Sequence, residues 1–306
     1  MSDRCVYFMP IAVLCLSLAS KITNRILMFT LNCKGRLLEI KGPVVMGIIN
    51  ATPDSFFSAS RHASVDAMLH QAEDMLNNGA IMLDIGGQST RPGSEPVSRE
   101  EELRRTIEGI ASIHERFPQA ILSVDTYYAK VAQEAVAAGA SIVNDVSAGT
   151  LDEAMIPAVA ALQVPYVLMH MKGKPQTMQQ SPVYENVTLE VLDFFIEKVA
   201  LLKASGINDI ILDPGFGFGK TIAHNFELLH HMKALSVLEL PLLIGLSRKG
   251  TIYKTLGITA EEALNGTTVM NTIALMNGAH ILRVHDVKAA KEAIILVEAV
   301  RGDTGR

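Results

Sequence analysis

The sequence predicts a (β/α)8 TIM barrel, and three observations carry that prediction. Short runs rich in Val, Ile and Leu recur from Val44 onward, separated by longer stretches with apolar residues at three- and four-residue spacing. This is the alternation that builds βα units around a parallel sheet. The runs number eight, the count of a closed barrel; an open doubly wound sheet is the alternative, and the eightfold count disfavours it. The connectors also alternate, with Pro43, Pro118, Pro165 and Pro241 before the odd-numbered runs and Gly79, Gly139, Gly206 and Gly278 before the even-numbered ones. Glycine just past a helix suits the left-handed position there, and proline forbids continuation of the helix. The chain therefore reads as a repeated βαβα unit.

In chain order, "MFTLNCKGRLLEI" (28–40) holds two strand-like runs flanking a turn at residues 32–35 and predicts a β-hairpin across the barrel floor. The barrel strands follow as "VVMGII", "IMLDI", "ILSVD", "SIVND", "YVLMH", "IILD", "LLIGLS" and "HILRV". Amphipathic stretches such as "SVDAMLHQAEDMLNNG", "SREEELRRTIEGIASIHERF", "YYAKVAQEAVAAG" and "TLEVLDFFIEKVALLKASG" supply helices between them. Residues 28–306 are read as a single domain, and 1–27 as an N-terminal extension outside the fold. Within that extension, "CVYFMPIAVLCLSLAS" follows Arg4 and ends in small residues in the manner of a short signal peptide. It is short for a membrane span, and translation from Met28 is the expectation.

With 306 residues, 49% hydrophobic, 19% charged and a net charge of -5, the chain has the composition of a globular protein able to bury a large core. No basic run points to nucleic acid or a membrane surface, so an anionic substrate would be met by local cations. The cysteines, Cys5, Cys15 and Cys33, all precede the barrel and give it neither a metal site nor a disulfide framework. A cytoplasmic location is expected.

Catalytic groups of such barrels stand where strands end. Here those ends carry Asn50, Asp84, Asp125, Asn144 with Asp145, His170, Asp213, Ser247 to Lys249, and Arg283 with His285. Any one of these could merely cap a helix, but convergence of so many polar groups on one rim is costly unless they pair or bind something. "PGFGFGKT" (214–221) is close to a Walker A loop, yet Pro214 stands where its first glycine belongs. Its glycines are read as keeping the loop thin beside a flat ligand. No HExxH-type spacing suggests zinc, while a hard cation held through Asn and substrate oxygens is compatible with the residues.

Taken together, "MGIINATPDSFF", "LDIGGQSTRPGSEPVSREEELRR", "SVDT", "GASIVNDVS", "LMHMKGKPQTMQ", "ILDPGFGFGK", "GLSRKG" and "LRVHDV" closely resemble the dihydropteroate synthase family, over about residues 31–299. The resemblance implies a barrel enzyme of folate synthesis that joins 6-hydroxymethyl-7,8-dihydropterin pyrophosphate to 4-aminobenzoate and is a target of sulfonamides. It assigns the pterin to Asp125, Asn144, Asp213 and Lys249, and the pyrophosphate to Asn50, Arg91, Arg283 and His285, with Asn50 helping to hold Mg²⁺. It assigns the 4-aminobenzoate ring to Phe56, Ser89, Thr90, Pro92 and Phe218. Lys249, Arg283, His285 and Asn50 are the catalytic group under this reading, "NATPDSFF" and "GGQSTRPG" are two closing loops, and a homodimer is expected. Gln88 where Glu is frequent, the second Phe of "SFF" and Gly250 after "SRK" depart from the family pattern. A pterin-dependent methyltransferase on the same barrel is the rival enzyme, against which "STRPG" and "SRK" speak. A non-catalytic pterin-binding paralogue is the rival outside enzymes.

Overall fold

The computed structural model describes residues 28–51, 61–88, 97–173, 178 and 182–302, with side chains of the second stretch described from residue 64. Two antiparallel strands, β1 (Phe29–Cys33) and β2 (Arg36–Ile40), form the N-terminal hairpin. Their two-residue turn, Lys34 and Gly35, has φ of 56° and 83°, the mirror-type geometry that matches strand twist in tight hairpins.

Eight parallel strands follow: β3 (Val44–Asn50), β4 (Met82–Gly86), β5 (Ile121–Asp125), β6 (Ile142–Asp145), β7 (Tyr166–Met169), β8 (Ile210–Asp213), β9 (Leu243–Ile244) and β10 (Ile281–Val284). They pair in the order β8-β7-β6-β5-β4-β3-β10-β9, and a parallel bridge between Leu212 and Leu242 links the two ends of the sheet. Outside lie α1 (Arg61–Asn77), α2 (Arg99–Arg116), α3 (Ala129–Ala138), α4 (Met155–Leu162), α5 (Val187–Ala204), α6 (Ile222–His231), α7 (Gly250–Leu256), α8 (Leu264–Met276) and α9 (Val287–Arg301). The connectors behave as their residue types require: Gly79, Gly139, Gly206 and Gly278 all have left-handed φ, between 89° and 126°. The "LLIGLS" run forms a shorter strand than its apolar length suggests, since pairing stops at Ile244 and the chain turns through Arg248 at φ 53°.

The pleat sorts the strand residues into layers. Outward-facing Leu83, Val124, Val143, Leu168, Leu212 and Leu282 join the large core beneath the helices. Inward-facing Met46, Met82, Ile121, Ile142, Val167, Ile211, Leu243 and Ile281, one from each barrel strand, pack with Leu31, Cys33 and Ile40 of the hairpin. The hairpin thus plugs the floor. Because side chains alternate with a period of two, the next inward positions are Asp84, Ser123, Asn144, Met169, Asp213 and Arg283. Apolar floor gives way to polar mouth within one pleat, and the C-terminal face becomes the place where chemistry can occur.

Candidate active site

Arg283 on β10 organises one half of the mouth. Its Nε donates to Asp84 Oδ2 and its Nη2 to Asp125 Oδ2, each at 2.6 Å. Asn144 Nδ2 donates to the same Asp84 oxygen at 2.9 Å. Asp84 is wholly buried behind these groups and so aims Arg283 and Asn144 without facing the opening. Burial opposes the charge on Arg283, but the two carboxylates outweigh it and hold the guanidinium above its usual range. Asp125 is pushed up to about 7, chiefly by burial and against the pull of Arg283.

The other half is built on β8 and the segment after β9. Asp213 Oδ1 accepts the Gly215 N–H at 2.8 Å, which pins one oxygen and presents the carboxylate edge; burial raises its pKa, with Lys249 as the main opposing charge. Lys249 Nζ donates to the Phe216 carbonyl at 2.6 Å and lies 4.8 Å from the Phe218 ring centroid. Burial lowers the Lys249 ammonium to about 8, within reach of neutral amine at physiological pH. Phe218 is buried among Val146, Met169 and Met178, a packed wall rather than a free aromatic.

His285, just past β10, faces Ser247: its backbone N–H donates to Ser247 Oγ at 3.2 Å, and Oγ lies 3.0 Å from Nδ1. Ser247 thereby holds the imidazole in place through Nδ1 and the backbone together, whichever of the two makes the Oγ–Nδ1 hydrogen bond as donor. Asn50 closes β3 in register with Gly86, which in turn pairs with Asp125, so Asn50 stands on the same rim. Among the described residues no group of His, Cys, Asp and Glu could hold a metal ion by itself. A lone amide oxygen at a strand end suits a cation that keeps waters and takes its remaining ligands from a diphosphate, which is how Mg²⁺ binds. Asn50 fits that role.

Not all rim residues share the site. Asp145 points outward, where Oδ1 accepts from Ser147 N and Oδ2 from Gly149 N and the Tyr166 hydroxyl, all within 2.8 Å. Arg248 clamps Asp286 through Nε and Nη2 and the carbonyls of Ala260 and Glu261 through Nη1. Both are structural. The Walker-like loop is explained differently from its sequence reading: a Cβ on Gly215 would lie 1.9 Å from His170 O, and one on Gly219 2.2 Å from Lys172 O. Glycine is needed there for the loop to lie flush on the chain after β7, and Lys220 turns inward to its own loop carbonyls rather than toward a phosphate. Gln88 receives the Val97 N–H and donates to the Tyr127 hydroxyl, tying together the residues on either side of 89–96. Phe56, Ser89, Thr90, Arg91 and Pro92 lie outside the described residues. Asp84 was visible at a strand end but carried no assigned role, and Lys220 was hidden inside a motif read for another purpose.

A barrel whose mouth combines a buried carboxylate pair, an amide, an arginine and a desolvated lysine defines a site for a flat, polar-edged heterocycle with an anionic substituent. The family model described as pterin binding enzyme matches residues 46–285. The dihydropteroate synthase of Escherichia coli (strain K12) is 45% identical over 269 residues, covering 87% of this chain and 94% of that protein. A Yersinia pestis dihydropteroate synthase solved with a sulfonamide drug complex superposes with a TM-score of 0.84 at 42% identity, covering 90% of this chain and all of that one. The Xanthomonas albilineans enzyme with 4-aminobenzoic acid gives 0.83 at 42% identity, over 89% and 98%. The chain belongs to the dihydropteroate synthase family of pterin-binding enzymes.

Proposed function

We infer that this protein condenses 6-hydroxymethyl-7,8-dihydropterin pyrophosphate with 4-aminobenzoate, releasing pyrophosphate and forming 7,8-dihydropteroate. The observation that carries the reading is the linked set Asp84, Arg283, Asp125 and Asn144 facing Asp213 and Lys249 across one mouth. Asp213, as a double acceptor, reads the donor edge of the pterin, while Asn144 and Asp125 complete the pocket. A ring without those donors would leave buried polar groups unpaired and be rejected. The remaining N–H groups of Arg283, with His285 Nε2, meet the diphosphate as charge develops on it. Mg²⁺ held through Asn50 would supply further charge neutralisation on the leaving group.

The C–O bond to the diphosphate breaks with its electron pair passing to oxygen, and the arylamine nitrogen forms the new C–N bond, losing one proton. A neutral arylamine is already nucleophilic, so preorganised charge matters more than a strong base. Lys249, anchored on Phe216 O beside the Phe218 ring, sits where pterin and arylamine meet. Phe56, Ser89, Thr90 and Pro92 would wall the ring from two loops, with Arg91 on the diphosphate; a sulfonamide would compete there.

A homodimer and a cytoplasmic location belong to the same reading. The dimer is supported by an exposed apolar face on adjoining α8 and α9, comprising Val269, Ile273, Met276, Ile295, Leu296 and Val300, larger than a lone surface hydrophobe. Residues 1–27 are proposed to be dispensable, because the floor is already closed by the hairpin that starts at Phe29. The decisive experiment is turnover of the two substrates, with pterin binding to Asp213→Asn measured by calorimetry. That variant swaps a double acceptor for one donor and one acceptor and is expected to abolish pterin binding; unchanged affinity would overturn the assignment.

A further inference from the structure

Lys220 is a buried basic group, its pKa lowered by burial to about 7, for which the chemistry of the condensation has no use. It is 2% exposed, and among the described residues its ammonium meets only uncharged acceptors: His170 Nδ1 and Gly215 O at 2.9 Å, Phe218 O at 3.2 Å and, more distantly, His170 O at 3.4 Å. An ammonium out of water without a direct counter-ion is costly, and an apolar chain of the same volume would fill the space more cheaply. Its position explains what it returns. The carbonyls it holds, Gly215 and Phe218, bracket the loop whose Phe216 carbonyl anchors Lys249 and whose Phe218 ring lies beside the Lys249 ammonium. The same loop delivers the Gly215 N–H that pins Asp213.

Charge counting points the same way. The mouth holds three carboxyl groups, Asp84, Asp125 and Asp213, and two basic groups, Arg283 and Lys249; Lys220 is a third basic group, brought down by burial to about 7 and therefore charged on the acid side of neutrality. Asp213 interacts electrostatically with Lys249, Arg283 and Lys220, and Lys220 in turn with Asp213 and Lys249. On its other side Lys220 faces His170, held neutral by burial and by the lysine itself, with Lys172 beyond. A neutral His170 with its proton on Nε2 offers Nδ1 as the acceptor this geometry uses.

We propose that Lys220 is a positioning residue for the condensation, whose ammonium fixes the 214–219 loop so that Phe218 and the Lys249 anchor stand ready for the arylamine, and whose charge balances Asp213 beneath the pterin. The inference rests on the reading of Asp213 and Phe218 given above. Two functions are thereby separable. Loss of the tether loosens the arylamine site, and loss of the charge favours protonation of Asp213, so that pterin binding fails at a higher pH on the acid side.

The test compares Lys220→Met, Lys220→Arg and His170→Leu with the parent protein. 4-Aminobenzoate KM is read from turnover, and the affinity of pterin-6-carboxylate from calorimetry over a range opening at the ordinary carboxylate value, from about pH 4 to about pH 9. Lys220→Met is expected to raise the arylamine KM roughly tenfold and to move the acid limb of pterin binding upward by about one pH unit, changes that a simple packing defect would not couple. Lys220→Arg restores the acid limb and leaves KM raised. His170→Leu, which keeps the charge and removes one acceptor, raises KM with the acid limb unmoved. It also serves if Lys220→Met does not fold. Parent-like KM and pH profile in folded Lys220→Met, or parent-like KM in His170→Leu, would overturn the proposal. Asp213→Asn run alongside separates the failures: if it binds pterin normally the assignment of Asp213 is at fault, and if it does not, Lys220 alone is.

Discussion

On four strands the barrel floor and the barrel mouth are two residues apart: Met82 and Asp84, Ile142 and Asn144, Ile211 and Asp213, Ile281 and Arg283. Backbone pairing is continuous through both levels, so the ladder cannot distinguish them. What differs is how each level is held together. Floor side chains make many weak, interchangeable contacts, and the loss of one is borne locally. Mouth side chains depend on each other by name: Asp84 aims Arg283 and Asn144, and Arg283 neutralises Asp84 and Asp125. The comparison teaches that one strand can carry stability at its start and specificity at its end without conflict, since the pleat assigns the two tasks to successive inward positions.

The sharpest way to break this division is Arg283→Met. It strands two buried carboxylates, a change costing about 3–5 kcal/mol where a buried pair loses one member. The kcat/KM for the pterin pyrophosphate should fall roughly a thousandfold, equivalent to about 4 kcal/mol, and steady-state kinetics would show it. The matching change at the floor is Ile142→Ala, which leaves a hole among the hairpin and the neighbouring strands. Chemical denaturation should report a loss of about 2–5 kcal/mol with both KM values unchanged. If Ile142→Ala altered KM as strongly as stability, the two levels would not be independent.

Much of this was legible in the sequence because the signals were local. Eight apolar runs, the Pro and Gly connectors and the Lys34–Gly35 turn each act within a few residues, and each appears where its chemistry requires. Asp125, Asn144, Asp213, Lys249, Arg283 and His285 could be placed on one rim for the same reason. Parity was the signal left unread. Asn144 and Asp145 are adjacent, so one had to face inward and the other outward, and Asp145 indeed bonds Tyr166 beneath the helices. Partnerships across distant strands were not legible at all: nothing near Arg283 indicates Asp84, 199 residues earlier, and nothing in "GFGFGK" indicates that its lysine folds back on His170.

The mildest test concerns a carboxyl that belongs to neither level. Glu102, in the first turn of α2, is wholly buried behind Gly87, where a Cβ would come within 2.9 Å of its Cγ. Neither of its oxygens completes a hydrogen bond of good geometry among the described residues, although the Thr126 side chain is close enough to favour the charged form. Burial pushes its pKa up to about 7, with Thr126 and Arg105 opposing; Asp125 is raised as far, but has Arg283 against it. The folded state therefore holds the Glu102 proton over a range, from the usual carboxylate value of 4.5 to about 7, in which the unfolded chain releases it. Stability from this group is full below that range and is lost as pH rises through it. The loss should reach at most about 3 kcal/mol by pH 8. Glu102→Gln carries no titrating group and should flatten that part of the profile, gaining on the parent at pH 8 and not at pH 5. Denaturant midpoints at about four pH values would check it, and equal slopes in the two proteins would mean that Glu102 is paired.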